Sequence, residues 1–149
     1  MMTTLVFRAL DRHVVGGLAD HPAIVDDQGP LSYAQLLHES ASIAGALSHL
    51  GVERGSHVAI DLPQGRELVI AVLACVRLGA VPATAGLFSL AGDPPVLTTP
   101  DTEVTWELLV RAGRAEPAPA PDSDPEGYEA IVIDQHGELF EILIAGATI

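Results

Sequence analysis

The chain has 149 residues, of which 48% are hydrophobic, and its formal net charge at pH 7 is −13. This length suits one domain with a buried core, and the hydrophobic content excludes a chain that is disordered throughout. The negative charge disfavours polyanionic partners, so we expect neither nucleic-acid binding nor attachment to an anionic membrane. The charge is uneven, because residues 99–149 carry 11 acidic side chains against two arginines.

Residue usage narrows the class of protein further. All 7 basic residues are arginine, so the sequence offers no lysine for catalysis. The single cysteine, Cys75, excludes an intramolecular disulfide and lies in an apolar run typical of a buried structural thiol. The N-terminal residues hold no apolar segment typical of a signal peptide, and the longest apolar run, 68–76, is too short to cross a bilayer. We therefore expect a cytoplasmic protein.

The first third of the sequence predicts a helix, a hairpin and a second helix. Apolar residues recur at helical spacing over residues 4–14. A short strand at 23–26 is followed by a turn and a second short strand. Ser32 and Gln35 then form the capping-box pattern S-x-x-Q, which predicts a helix that starts there and ends at Gly51.

The middle of the sequence predicts a strand–helix–strand unit. Residues 57–63 have the pattern of a strand, and residues 66–78 are apolar on almost all sides, as a buried helix requires. Gly79 should end this helix, and residues 80–84 return as a strand. Such a βαβ unit implies parallel strands joined by a crossover.

The sequence patterns that indicate secondary structure are weaker beyond residue 85. Residues 94–99 are compatible with a strand. Thr99 followed by Pro100 suits the start of a helix that runs to Ala112, with Gly113 as its stop.

The C-terminal part reads as a linker and a hairpin. Residues 114–127 are rich in proline and acidic residues, which predicts an exposed, extended linker. Residues 128–149 alternate like a β-hairpin that turns at 135–137. The predicted organisation is an α/β unit over residues 1–113 with parallel strands in a βαβ unit, then the linker, then the C-terminal β-hairpin.

Several segments together resemble the N-terminal part of the adenylate-forming (AMP-binding, acyl-CoA synthetase-like) enzymes. "HPAIVDDQGPLSYAQLL" at 21–37 resembles the family pattern "pAlv-x-x-g-x-lTYaeL". "GALSHLGVERGSHVAIDLP" at 45–63 resembles "aaaL-x-x-x-Gv-x-x-GD-x-Vai-x-lp", although Ser56 stands where the family usually has aspartate. "ELVIAVLACVRLGAVP" at 67–82 resembles "e-x-v-x-a-x-lA-x-x-x-aGAv-x-vP". The motifs keep the family's order over residues 4–87.

The resemblance implies that these segments have a structural role and carry no catalytic residues. In that family these segments form the first subdomain of a large domain. ATP is held by a later Ser/Thr/Gly-rich loop that ends in lysine, and a lysine of a C-terminal domain stabilises charge in the transition state. Neither the loop nor any lysine is present in this sequence. We therefore expect a relative truncated before the ATP-binding loop, with no catalytic residue, no cofactor-binding residue and no ATP binding.

One weak candidate for a metal site lies near the predicted turn of the hairpin. Asp134, His136 and Glu138 alternate there, and all three residue types can be metal ligands. Alternating polar residues beside a tight turn are more often simply solvated, so we expect no metal.

A partner surface is predicted instead. In the large enzymes this subdomain packs against a further layer, and a separate copy must cover the same face. The apolar residues Val81, Leu87, Phe88 and Leu90 could lie on it. We expect a homodimer or a complex with another protein that buries these residues, with about 1,200–2,000 Å² of total interface.

Three functions remain open at this point. The chain could be a non-catalytic interaction or accessory module, which should show a flat apolar patch. It could be one part of a split AMP-dependent carboxylic acid ligase, with a partner chain that supplies the ATP loop and the catalytic lysine. It could also bind a small molecule, in which case it should show a deep pocket with convergent polar groups.

Overall fold

A computed structural model describes residues 4–149. An N-terminal helix (residues 5–18) includes π-helical segments at Phe7–Asp11 and Val14–Leu18. The elements that follow are β1 (Pro22–Asp26), β2 (Gly29–Ser32), α1 (Tyr33–His49), β3 (His57–Asp61), α2 (Arg66–Leu78), β4 (Val81–Ala83), β5 (Phe88–Ala91), β6 (Val96–Thr98), β7 (Glu103–Thr105), α3 (Trp106–Ala115) and α4 (Tyr128–Ile144). In this part of the chain no helix has the length and apolarity needed to span a membrane.

The N-terminal hairpin and the capping box are confirmed. β1 and β2 pair antiparallel and form a separate two-stranded sheet. At the start of α1 the Ser32 hydroxyl accepts from the backbone N–H of Gln35 at 3.1 Å. The Ser32 backbone N–H donates in return to the Gln35 side chain at 2.9 Å. Two otherwise unpaired donors are thus satisfied at the helix start.

The strand–helix–strand prediction is also confirmed. β3 lies between β4 and β5 in a five-stranded sheet of order β4-β3-β5-β6-β7, and it pairs with both neighbours in parallel. β5, β6 and β7 continue antiparallel, which makes the sheet mixed. α2 has the predicted bounds, and Gly79 ends it with a left-handed φ of 72°. Cys75 on this helix is buried, and burial raises the pKa of its thiol to about 12, so it is a structural thiol.

The inner face of the sheet carries the core. Val58, Phe88, Leu90 and Leu97 occupy register positions on one face, and all four are buried. α2 contacts β3 and β4, and α1 packs against α2. The helices therefore form one layer over one face of the sheet.

α1 is covered on its second side as well. Ser42 of α1 is polar, yet its side chain is fully buried against α3. The two helices approach so closely that a Cβ atom on Gly113 would lie 1.6 Å from the carbonyl oxygen of Ser42. Gly113, predicted to stop the helix, is an internal residue of α3 that allows this contact.

The predicted helix over residues 99–112 is wrong in its first half. The Thr99 hydroxyl accepts from the backbone N–H groups of Asp101 and Thr102, at 3.2 and 2.9 Å, and so caps a tight turn between β6 and β7. The helix starts six residues later, where the Thr105 hydroxyl accepts from the Leu108 N–H at 3.4 Å. Thr99 and Thr105 can both cap a helix, and the antiparallel pairing of β6 with β7 leaves Thr105 at the helix start.

The predicted C-terminal β-hairpin is wrong, because Tyr128–Ile144 forms the helix α4. Tyr128, Val132, Phe140 and Leu143 are its buried residues, and their spacing is that of one helix face. β-branched residues and local alternation favoured a strand in the sequence. The helix is the more stable conformation because it places these side chains against the N-terminal helix and β4.

The segment at 116–127 contains no helix or strand, yet it is fastened to the helical layer. The Ala118 N–H donates to the Ala41 carbonyl at 2.9 Å, and the Ala118 carbonyl accepts from Arg77 Nε at 2.7 Å. The guanidinium of Arg77 also makes a bidentate pair with Asp11 at 2.9 and 3.0 Å. The same buried arginine therefore holds both the N-terminal helix and this segment.

Candidate functional site

An apolar groove of about 520 Å³ lies between β1, the start of α2 and the second half of α4. Side chains of these elements and the last residue of the chain form its walls: Val25, Leu68, Val72, Leu139, Ile142 and Ile149. Polar side chains also line it: Asp26, Gln64, Gln135, His136 and Glu138. A volume of this size falls within the range of small-molecule sites.

The C-terminal residues build one wall of the groove. The Ile149 N–H donates to the Ala23 carbonyl at 2.7 Å, and the Val25 N–H donates to the Ile149 carbonyl at 3.3 Å. This pairing extends β1 on its free edge. Val25 is 57% exposed and Ile149 is 37% exposed, so apolar surface at the mouth of the groove faces water.

α4 is held in place by two polar contacts to β4 and the residue before it. The His136 ring nitrogen Nε2 donates to the carbonyl of Pro82 at 3.1 Å, at a point where the backbone of α4 departs from helical geometry. The Tyr128 hydroxyl donates to the carbonyl of Ala80, and burial raises the pKa of this phenol. These bonds occupy carbonyl groups at the β4 edge of the sheet and fix the groove's second wall.

Arg66 and Asp26 form an ion pair with no net charge at the rim of the groove. Arg66 makes a bidentate contact with Asp26 at 2.9 and 2.6 Å and also donates to the Gly29 carbonyl at 2.8 Å. Hydrogen bonding from Arg66 lowers the pKa of the Asp26 carboxyl to about 2, and the positive charge of the guanidinium acts in the same direction. Asp26 is therefore ionised at neutral pH, and the pair joins β1 to α2.

The three candidate metal ligands are not brought together. Asp134, His136 and Glu138 lie along α4, where residues two positions apart point to different sides. Among residues 4–149 no cluster of three or more histidine, cysteine or acidic residues has a geometry suited to a metal ion. Sequence reasoning grouped them because it placed them at a hairpin turn.

The four residues of the predicted partner surface are divided by the fold. Val81, Phe88 and Leu90 are buried in the chain itself, whereas Leu87 is 79% exposed. Whether Leu87 contacts a partner remains a prediction. The cover that the other three require is supplied within the same chain.

A second exposed surface was not anticipated from the sequence. The strand register places small side chains on the side of the sheet opposite the core: Ala59, Ala83, Ser89, Ala91 and Val96. All five are only partly buried, and we call this surface the outer sheet face. Leu87 directly precedes β5. The short side chains make this face flat.

Solved structures of adenylate-forming ligases share the fold. An anthranilate CoA ligase in complex with anthranoyl-AMP matches with a TM-score of 0.51 and 23% identity, over 54% of this chain and 15% of that one. The N-terminal subdomain of Klebsiella oxytoca NpsA, solved with anthranilyl-AMSN, matches with a TM-score of 0.51 and 26% identity, over 54% of this chain and 20% of that one.

Sequence comparison identifies the family. The family model described as AMP-binding enzyme matches residues 11–90, and the chain belongs to this family. The acetyl-coenzyme A synthetase of Mycobacterium tuberculosis is 36% identical over 138 residues, which cover 85% of this chain and 21% of that protein. The Streptomyces coelicolor acetyl-coenzyme A synthetase is 43% identical over 81 residues, 51% of this chain and 12% of that protein. The chain thus spans about a fifth or less of these relatives, as a fragment of an acyl-CoA synthetase-like enzyme.

Proposed function

We propose that the chain is a non-catalytic accessory module of the AMP-binding family, and that it binds a protein partner or a second copy of itself through the outer sheet face. The observation that supports this most is the shape and chemistry of that face. Its positions on β3, β4, β5 and β6 carry uncharged, half-buried side chains, although the formal net charge of the chain is −13. An area without charged side chains on a strongly charged protein suits an interface, because charged residues are depleted at interface cores.

The position of Leu87 supports the same face. It is a large apolar side chain with 79% exposure, at the position directly before β5. An exposed apolar anchor beside a flat area of small residues suits a hot spot that inserts into a partner's pocket. His57, Asp61 and Glu103 lie at the margins of the face and would form a polar rim.

The interface experiment should change this face without touching the core. Phe88→Glu is unsuitable, because Phe88 is buried and its substitution would test folding. Ser89→Arg places a long charged side chain in the middle of the outer sheet face, and we expect it to dissociate the assembly. Ser123→Arg is the matched control, because Ser123 is exposed in the segment that follows α3. Light scattering and affinity capture of both variants would report the assembly.

The outcomes are distinct. Wild type and Ser123→Arg should assemble alike, and Ser89→Arg should run as a monomer with an unchanged urea midpoint. Two results together would refute the proposal. The wild type would be a monomer at about 10⁻⁴ M, a concentration well above the dissociation constant expected of a specific complex. Affinity capture with the wild type would also recover no protein that is missing from the capture with Ser89→Arg.

The non-catalytic part of the proposal is supported by residue chemistry. The 149 residues include no lysine, and arginine does not reproduce the compact point charge of an ammonium group. We expect the purified chain to show no acid-dependent pyrophosphate exchange with ATP. Exchange by the pure protein would contradict the proposal, and exchange that appears only with a second chain would favour the split ligase.

A further inference from the structure

The apolar groove differs from the outer sheet face in shape and in the kind of ligand it fits. Its volume of about 520 Å³ suits a small molecule, and it is bounded on three sides by β1, α2 and α4. The groove therefore carries an inference that does not depend on the proposed protein interaction.

The walls of the groove indicate a ligand with an apolar body. Leu68, Leu139 and Ile142 line it and remain only partly buried, and Val25 at the mouth is 57% exposed. Water in contact with these side chains would be released when an aliphatic or aromatic group enters. That release favours binding in proportion to the apolar surface covered, before the costs of association.

The charges at the groove indicate the head group. Arg66 is already paired with Asp26 in a bidentate contact, so it offers no net positive charge to a ligand. Glu138 lines the groove, and its side chain has no hydrogen bond or ion pair with any other residue in the range 4–149. An anionic head would therefore meet an uncompensated carboxylate, whereas a cationic head would pair with it. The amide groups of Gln64 and Gln135 can supply further hydrogen bonds.

We propose that this groove binds a small amphiphile with a positively charged amine head and an apolar body. The body lies against Leu68, Leu139 and Ile142, and the ammonium group pairs with Glu138. The formal charge of −13 adds a long-range attraction for cations and a barrier to anions. The net charge alone would attract cations without forming a single saturable site. Saturable binding therefore distinguishes the proposed site from nonspecific electrostatic attraction.

The test compares three probes with the same apolar chain: octylammonium, octanol and octanoate. Isothermal titration calorimetry of the full chain at pH 8 should show one saturable site for octylammonium, weaker binding of octanol and the weakest binding of octanoate. Glu138→Gln should weaken octylammonium about fivefold, as expected for a partly exposed ion pair, and leave octanol unchanged. Val25→Arg, at an exposed wall position, should abolish binding of octylammonium.

Glu141→Gln is the matched control, because it makes the same charge change on an exposed residue of α4 outside the groove lining. It should leave the affinity for octylammonium within about twofold of wild type. Equal effects of Glu138→Gln and Glu141→Gln would overturn the proposal, as would octanoate binding at least as tight as octylammonium, or no saturable binding of any probe. Ser89→Arg should bind octylammonium normally, so failure of the interface proposal and failure of this one are distinguishable.

Discussion

Gly113→Ala should destabilise the protein strongly, although glycine-to-alanine changes inside helices usually stabilise. Alanine is favoured over glycine by about 1 kcal/mol in a helix interior. At Gly113 the new Cβ atom would lie 1.6 Å from the carbonyl oxygen of Ser42 and 2.4 Å from its carbonyl carbon. Both obstructing atoms belong to the backbone of α1, so no side-chain rotation relieves the clash.

The expected loss of stability follows from the distance by which the new methyl group would push α3 away from α1. A normal carbon–oxygen contact needs more than 3 Å, so α3 must move away from α1 by well over 1 Å. This movement loosens buried residues of both helices, Leu109 among them. Overpacking typically costs about 1–3 kcal/mol, and a backbone obstacle places this variant near the upper end, at about 3 kcal/mol net. With a urea m-value of about 2 kcal/mol/M, the midpoint should fall by about 1.5 M.

Urea unfolding followed by circular dichroism would measure this shift. Gly137→Ala in α4 is the control, because its Cβ atom would meet Ile133 at an ordinary 3.4 Å. Its midpoint should stay the same or rise by up to about 0.5 M. Adding Ser42→Gly should not rescue Gly113→Ala, since the clash is with the Ser42 backbone. If Gly113→Ala instead matches Gly137→Ala, α3 does not pack on α1 at this distance.

Three further changes test other parts of the fold. Ser32→Ala removes the cap of α1 and should lower the free energy of unfolding by about 1 kcal/mol in urea titrations; no change would show that the cap is dispensable. Arg77→Ala breaks a bidentate pair whose arginine side chain is 5% exposed and should cost about 3 kcal/mol. The double variant with Asp11→Ala should cost less than the two single effects added, and strict additivity would argue against the pairing. The pKa of Asp26 lies below its ordinary value of 3.8, at about 2, so its contribution is present above about pH 4 and is lost as the pH falls to about 2. The urea midpoints of wild type and Asp26→Asn should therefore differ at neutral pH and converge in this acid range.

The intramolecular cover of α2 changes where a partner can bind. The expectation of a dimer or complex near Val81 and Phe88 assumed that a partner must cover this apolar face. In the fold, residues 69–77 of α2 are buried, and both Val81 and Phe88 are buried as well. A partner, if bound, must use surface that this cover leaves exposed, and the outer sheet face with Leu87 is such a surface.

Local chemistry in the sequence was sufficient for the family part of the chain. Ser32 and Gln35 specify the start of α1, because both hydrogen bonds of the cap lie within four residues. Gly79 specifies the end of α2, because the left-handed φ of 72° there favours glycine. The apolar run between residues 66 and 78 specifies a buried helix by its length alone. These signals are short in range, so no distant residue was needed to interpret them.

Tertiary structure decided the remainder, because there the local signals were close to balanced. Thr99 and Thr105 can both cap a helix, and pairing between β6 and β7 determined which one does so. Residues 128–144 satisfy a strand pattern and a helix pattern at once, and only contact with the N-terminal helix and β4 selects α4. The groove depends on that selection, since one wall is α4 and another is β1, more than a hundred residues earlier. A surface assembled from such distant segments has no signature in any local stretch of sequence, because burial of apolar area against a partner element is a property of the folded chain.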